Sequence, residues 1–214
     1  MFTSKAFTHL TDLHTLREYK KGSIVIYQGE VSRDVFVLSE GIVKAYSINN
    51  QGDERIVSFY GQDEIFPEPW SMGSSATAPY YYECVSDTKL HVIPQQEFKK
   101  AAVKSPELME EVANYYVAAM ADSMMRINGL EQAKANEKLV FTLLYLVQRH
   151  GKLLGGELYR INLSLTQQMI ASMLGLTRET TANELLKLKR KKVLSYRSQR
   201  YIVDRAKLLA AIGE

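Results

Sequence analysis

Cysteine is nearly absent from this sequence of 214 residues: Cys84 stands alone. That excludes an intrachain disulfide and any zinc or iron–sulfur site built from several thiolates. Long apolar runs are missing as well. The longest, Leu139–Val147, is interrupted by Thr142 and falls far short of the roughly 20 residues that span a bilayer. Residues 1–20 mix His, Asp, Arg and Glu without the apolar stretch of a signal peptide, so a cytoplasmic protein with no membrane association is expected. Histidine is sparse and scattered, at His9, His14, His91 and His150, which leaves no cluster for a cupin-like metal centre. No Ser/His/Asp spacing, P-loop or GxGxxG pattern occurs. Cys84 with His91 is a pair on offer as axial haem ligands, but both sit in a strand-like run, where a lone Cys reads as a small core residue. Neither an enzyme nor a resident cofactor or metal is expected.

What is present suits a globular chain. Apolar residues make up 46% and charged residues 24%, enough to build a real core. The net charge is only +3, yet between Arg178 and Lys207 ten Lys and Arg stand against Glu179, Glu184 and Asp204. The remainder is therefore mildly acidic, and the basic end predicts an anionic partner gripped there.

The pattern along the chain predicts an α+β protein. Ser23–Tyr27, Asp34–Leu38, Gly41–Ile48, Glu54–Tyr60 and Thr88–Ile93 are rich in Val, Ile, Tyr and Phe and are punctuated by glycine turns, as an antiparallel β-roll requires. From Gln95 the chain turns helical, and Ser105-Pro106-Glu107 opens a long helix expected to run to about Ala135. Along it Tyr116, Met120, Ser123, Ile127 and Leu130 are spaced as a heptad seam, predicting a homodimer; Val112, Tyr115 and Ala119 form a second stripe that could face the roll. Then follow a helix over Glu137–Arg149, a strand over Glu157–Leu163, helices over Thr166–Leu174 and Arg178–Lys191, and a hairpin about Ser198-Gln199-Arg200. The expected domains are 1–105, 106–135 and 136–214.

The segment Leu165–Leu186 carries the strongest signal. Thr166 is placed to cap one helix, Gly175 to end it in a left-handed turn, and Thr177 to cap the next. This is a helix-turn-helix over 166–191, whose second helix enters the major groove of double-stranded DNA by its N-terminus. Arg178, Glu179 and Asn183, with Thr181 among them, occupy its first turns. Arg suits guanine and Glu suits cytosine. Thr166, Gln167, Thr177, Lys187 and, on the wing, Arg200 suit phosphates.

These residues resemble the signature of Crp/Fnr-type transcription regulators, notably Thr177-Arg178-Glu179-Thr180. A second stretch, Val25–Gly41, is similar to that family's cyclic-nucleotide-binding roll, with Gly29-Glu30, then Val35-Phe36-Val37-Leu38, then Gly41. The resemblance implies an N-terminal antiparallel β-roll (a double-stranded β-helix, or jelly roll), a long dimerisation helix and a C-terminal winged helix-turn-helix. It also implies a homodimer on an inverted-repeat operator and RNA polymerase as a partner.

The effector region departs from the family. Members that bind cyclic AMP pair a Gly-Glu with a downstream Arg-Ser or Arg-Thr. Here Pro67-Glu68 keeps the Glu, Ala78-Pro79 fills the Arg slot, and no Lys or Arg lies between Glu68 and Lys89. Trp70, Tyr80 and Tyr81 line the expected pocket instead, with Ser123 and Arg126 approaching from the long helix. The expected effector is a small molecule other than cyclic AMP, or none. The other class of reading is a regulatory module with a degenerate helix-turn-helix, acting through protein contacts alone.

Overall fold

The computed structural model describes residues 5–31, 33–73 and 76–212, with the side chains of Ala6 and Pro69 left aside. The chain divides into two compact units, 1–118 and 119–214.

In the first unit a short helix α1 (Lys5–Asp12) precedes strands β1 (Leu16–Tyr19), β2 (Ile24–Ile26), β3 (Asp34–Glu40), β4 (Val43–Ile48), β5 (Glu54–Tyr60) and β6 (Ile65–Phe66). A single turn of helix, α2 (Glu68–Ser71), leads to β7 (Tyr81–Cys84) and β8 (Thr88–Pro94). Two sheets result, ordered β1-β8-β3-β6 and β2-β7-β4-β5, with antiparallel pairing throughout. Alternation explains how they close. On β3, Phe36 and Leu38 face Val43, Ala45, Tyr82 and Cys84 in the inner core. Val35 and Val37 point the other way and join Ile93, Phe98, Leu108 and Val112 under the helices.

Those helices are α3 (Gln95–Lys104) and α4 (Pro106–Glu131). Ser105 opens α4, its Oγ accepting from the Leu108 amide at 3.2 Å and donating to Glu107 at 2.9 Å. The backbone amide of Glu107 and the Ser105 hydroxyl hold the Glu107 carboxyl below its ordinary value. The helix stops at Glu131, short of the expected Ala135, and α5 (Ala135–His150) begins two residues before Glu137. Val112 and Tyr115 do pack toward the roll, and Tyr115 donates to the Ile65 carbonyl at 2.8 Å.

The second unit holds the rest of α4, then α5, β9 (Gly151–Gly155), β10 (Leu158–Ile161), α6 (Gln167–Leu174), α7 (Arg178–Arg190), β11 (Leu194–Arg197), β12 (Arg200–Asp204) and α8 (Arg205–Ala210). Its sheet is ordered β11-β12-β10-β9. Leu139, Leu143 and Leu146 of α5, with Ile170, Leu174, Leu185 and Leu188, are buried there.

Candidate nucleic-acid interface

Three local devices shape the pair α6–α7. Thr166 accepts from the Met169 amide through its hydroxyl at 3.0 Å, satisfying a donor that the first helical turn leaves open. Gly175, at φ 66°, ends α6 in the left-handed region where a Cβ would be strained, and the Leu176 amide folds back to the Ala171 carbonyl at 3.1 Å. Thr177 then caps α7, accepting from the Thr180 amide at 3.1 Å.

Caps of this kind aim the start of α7 outward. Arg178, Glu179 and Asn183 are all exposed. Thr181 is not: it is fully buried and its hydroxyl donates to the Thr177 carbonyl at 3.0 Å. The expectation of a DNA contact there is corrected, because Thr181 shares its helix face with Glu184, Leu185 and Leu188, all buried. Lys187 is exposed, with its ammonium 2.7 Å from Glu184.

The wing is a two-residue hairpin in which Arg197 pairs with Arg200. Ser198 and Gln199 both adopt positive φ, 48° and 67°, the twist that matches a tight hairpin. Gln199 was missed by sequence reasoning, since a single Gln in a turn carries no signal. Its carbonyl accepts from the Leu165 amide at 3.0 Å and its side-chain oxygen from Ser164 at 3.1 Å, tying the wing to the approach of α6. Between helix and wing lies an open cleft of about 580 Å³ lined by Thr166, Gln167, Gln168, Arg178, Ser198 and Gln199. Thr166, Gln167 and Arg178 are thus brought together, while Arg200 stands exposed at the start of β12. Behind the wing, Tyr196 and Tyr201 stack at 5.2 Å and Lys189 lies 4.7 Å from the Tyr196 ring. Burial, then the neighbouring Tyr196, pushes Tyr201 up to about 12.

The expected effector residues are dispersed. Glu68 accepts from the Tyr60 hydroxyl at 2.7 Å. Trp70 is only 2% exposed and donates to the Thr77 carbonyl at 2.9 Å. Tyr80 packs on the inner core, whereas Tyr81 lies on the opposite face of β7 from the core residue Tyr82, stacked on Tyr46 at 5.2 Å. The period of two along β7 separates them. Tyr82 lies in the inner core, 5.5 Å from Phe66 and 6.0 Å from Tyr60. Cys84 belongs to the same core, and burial pushes its thiol up. Ser123 is exposed and donates to the Ala119 carbonyl at 2.8 Å. Arg126 is engaged inside the second unit: it donates to the Met173 carbonyl at 3.1 Å and lies 5.6 Å from the Tyr145 ring.

An antiparallel roll followed by a long helix and a winged helix-turn-helix with an exposed Arg-Glu pair defines a DNA-binding regulator. The cyclic nucleotide-binding domain family matches residues 16–105, and the Crp-like helix-turn-helix domain family matches residues 137–211. The nitrogen fixation regulation protein FixK of Rhizobium meliloti is 26% identical over 86% of this chain and 80% of its own length. The global nitrogen regulator of Synechococcus elongatus is 24% identical over 88% and 85%. The structure of FixK2 from Bradyrhizobium japonicum superposes with a TM-score of 0.79 at 20% identity, covering 94% of this chain and 98% of that one. The chain belongs to the Crp/Fnr family: it is a transcription regulator with a DNA-binding helix-turn-helix, and not an enzyme. Regulators of this family bind DNA as dimers. Among the described residues no helix is long and apolar enough to cross a membrane.

Proposed function

We propose that the chain acts in the cytoplasm as a homodimer on an inverted-repeat operator, and that it responds to a small effector other than cyclic AMP, or to none. The observation that carries the dimer is the outer face of α4. Val117, Met120, Met124 and Ile127, spaced 3-4-3, are 69%, 63%, 61% and 57% exposed, a ladder of apolar side chains that a second copy covers. This stripe keeps Met120 and Ile127 of the expected seam and has Val117 and Met124 in place of Tyr116 and Ser123. Tyr116 is turned to the roll, where its hydroxyl donates to the Glu68 carbonyl at 3.1 Å and meets Ser71. Met124 replaces Ser123 as the packing residue, and Leu130 is half-buried at the edge.

The protein-contact reading with an inactive helix-turn-helix is disfavoured by the exposed Arg178-Glu179 pair and the basic wing. RNA polymerase is the further partner that the family resemblance implies. Against cyclic AMP stands the roll interior. Tyr60, Phe66, Trp70 and Tyr82 fill it, and Glu68 brings a negative charge toward any phosphate. Burying an unpaired phosphate beside a carboxylate costs several kcal/mol.

A selected inverted repeat and a single half-site of the same sequence test the dimer by gel shift. The inverted repeat is expected to bind far more tightly; equal affinities overturn it. In titration calorimetry cyclic AMP is expected to give no heat, and a low-micromolar dissociation constant with tighter operator binding overturns the second part.

A further inference from the structure

Arg126 sits on α4 one residue before Ile127, about 100° round the helix, so the two side chains serve different faces. Ile127 and Met124 are exposed on the stripe. The guanidinium of Arg126 turns inward, donating to the Met173 carbonyl at 3.1 Å and lying over the Tyr145 ring. Burial pulls its pKa below the ordinary arginine value.

The acceptor is informative. Met173 is the penultimate residue of α6, and the last carbonyls of a helix lack intrahelical donors and carry the negative end of its dipole. The amides of Gly175 and Leu176 both return to Ala171. The Met173 carbonyl takes the arginine instead, two residues before the turn that launches α7. A cation from α4 thus caps the helix whose end sets the direction of the recognition helix.

Two further contacts hold this part of α4 against α5. Asp122 lies 3.6 Å from Arg149 and accepts from Gln148 at 3.0 Å. Gly129 lets the helices approach so closely that a Cβ there would lie 2.6 Å from the Phe141 Cβ. The seam face and the helix-turn-helix are therefore joined within the second unit.

We propose that Arg126 is a positioning residue that locks the recognition helix to the dimer seam, so that the seam register sets the spacing of the two half-sites. The inference rests on the homodimer reading. A C2 pair that presents two helices about 34 Å apart reads half-sites at one spacing only if each helix is fixed to the axis. The guanidinium–carbonyl bond supplies that fixation.

The test uses the full chain, the Arg126→Met and Arg126→Lys variants, and an operator selected from a random pool by the unaltered protein. Its spacer is lengthened and shortened by one and two base pairs. The unaltered protein is expected to discriminate by about a hundredfold and Arg126→Met, still dimeric by light scattering, by less than about tenfold, a difference of roughly 1.4 kcal/mol. Arg126→Lys, which keeps the charge and a donor at shorter reach, falls between them. Uniformly weaker binding with spacer discrimination intact overturns the proposal, since a merely structural role lowers affinity and melting temperature without moving the preferred spacing. If the Met variant does not fold, the Lys variant decides, and full discrimination by it overturns the proposal. A monomeric unaltered protein overturns the dimer reading itself and is recognised by scattering before any DNA is added.

Discussion

Arg178 and Lys187 occupy the same helix but differ in what they offer DNA. Arg178 stands exposed at the first position of α7, beside the cap that Thr177 makes, and its planar fork matches guanine in the major groove. Replacing it with Ala is expected to cost about 1–3 kcal/mol on the operator while leaving non-specific binding nearly unchanged; fluorescence anisotropy on operator and scrambled duplexes checks this. Lys187 sits about two and a half turns further on and already holds Glu184 at 2.7 Å. On the proposed reading it is a charge near phosphate, so Lys187→Ala should weaken all sequences alike and reduce the salt slope by about one. A change in sequence preference would contradict that assignment. Thr181 shows where residue type misleads. A hydroxyl amid polar neighbours reads as a DNA contact, but the helix rotates it to the core, where the Thr177 carbonyl satisfies it.

At the scale of elements, the helix-turn-helix was the most legible part, because its caps are local chemistry. Thr166, Gly175 and Thr177 each act within a few residues of themselves. Thr177→Ala should therefore lower stability by about 1 kcal/mol, read as a lower denaturation midpoint, and should weaken operator binding because the start of α7 frays. Elsewhere the deciding partner is distant in sequence and invisible to local pattern. The two-residue strand β6 exists because Phe66 and Ile65 pair with Phe36 and Val37. Short β1 exists because it adds to β8. Tyr116 leaves the expected seam because its hydroxyl finds Glu68, 48 positions away. Tyr81 and Tyr82 look alike in the chain, and only the pairing of β7 with β4 decides which one enters the core.

At the scale of the whole molecule, the apolar stripe of α4 is the feature on which the proposed assembly rests. Asp at both Met120 and Ile127 puts like charges against their mates across the dimer axis, and light scattering should then report monomers. Persistence of the dimer would mean that another surface pairs the copies. Operator affinity should fall together with dimerisation, since one recognition helix gains nothing from the second half-site once the copies separate.

The boundary between the two compact units falls inside α4, after Ala118, and three of the four stripe residues lie beyond it. The DNA-binding half thus carries most of the apolar stripe proposed to pair the copies. On the proposed dimer, a different upstream module joined through an unbroken α4 is expected to leave the operator unchanged, and a gel shift of the fusion on the selected operator checks this.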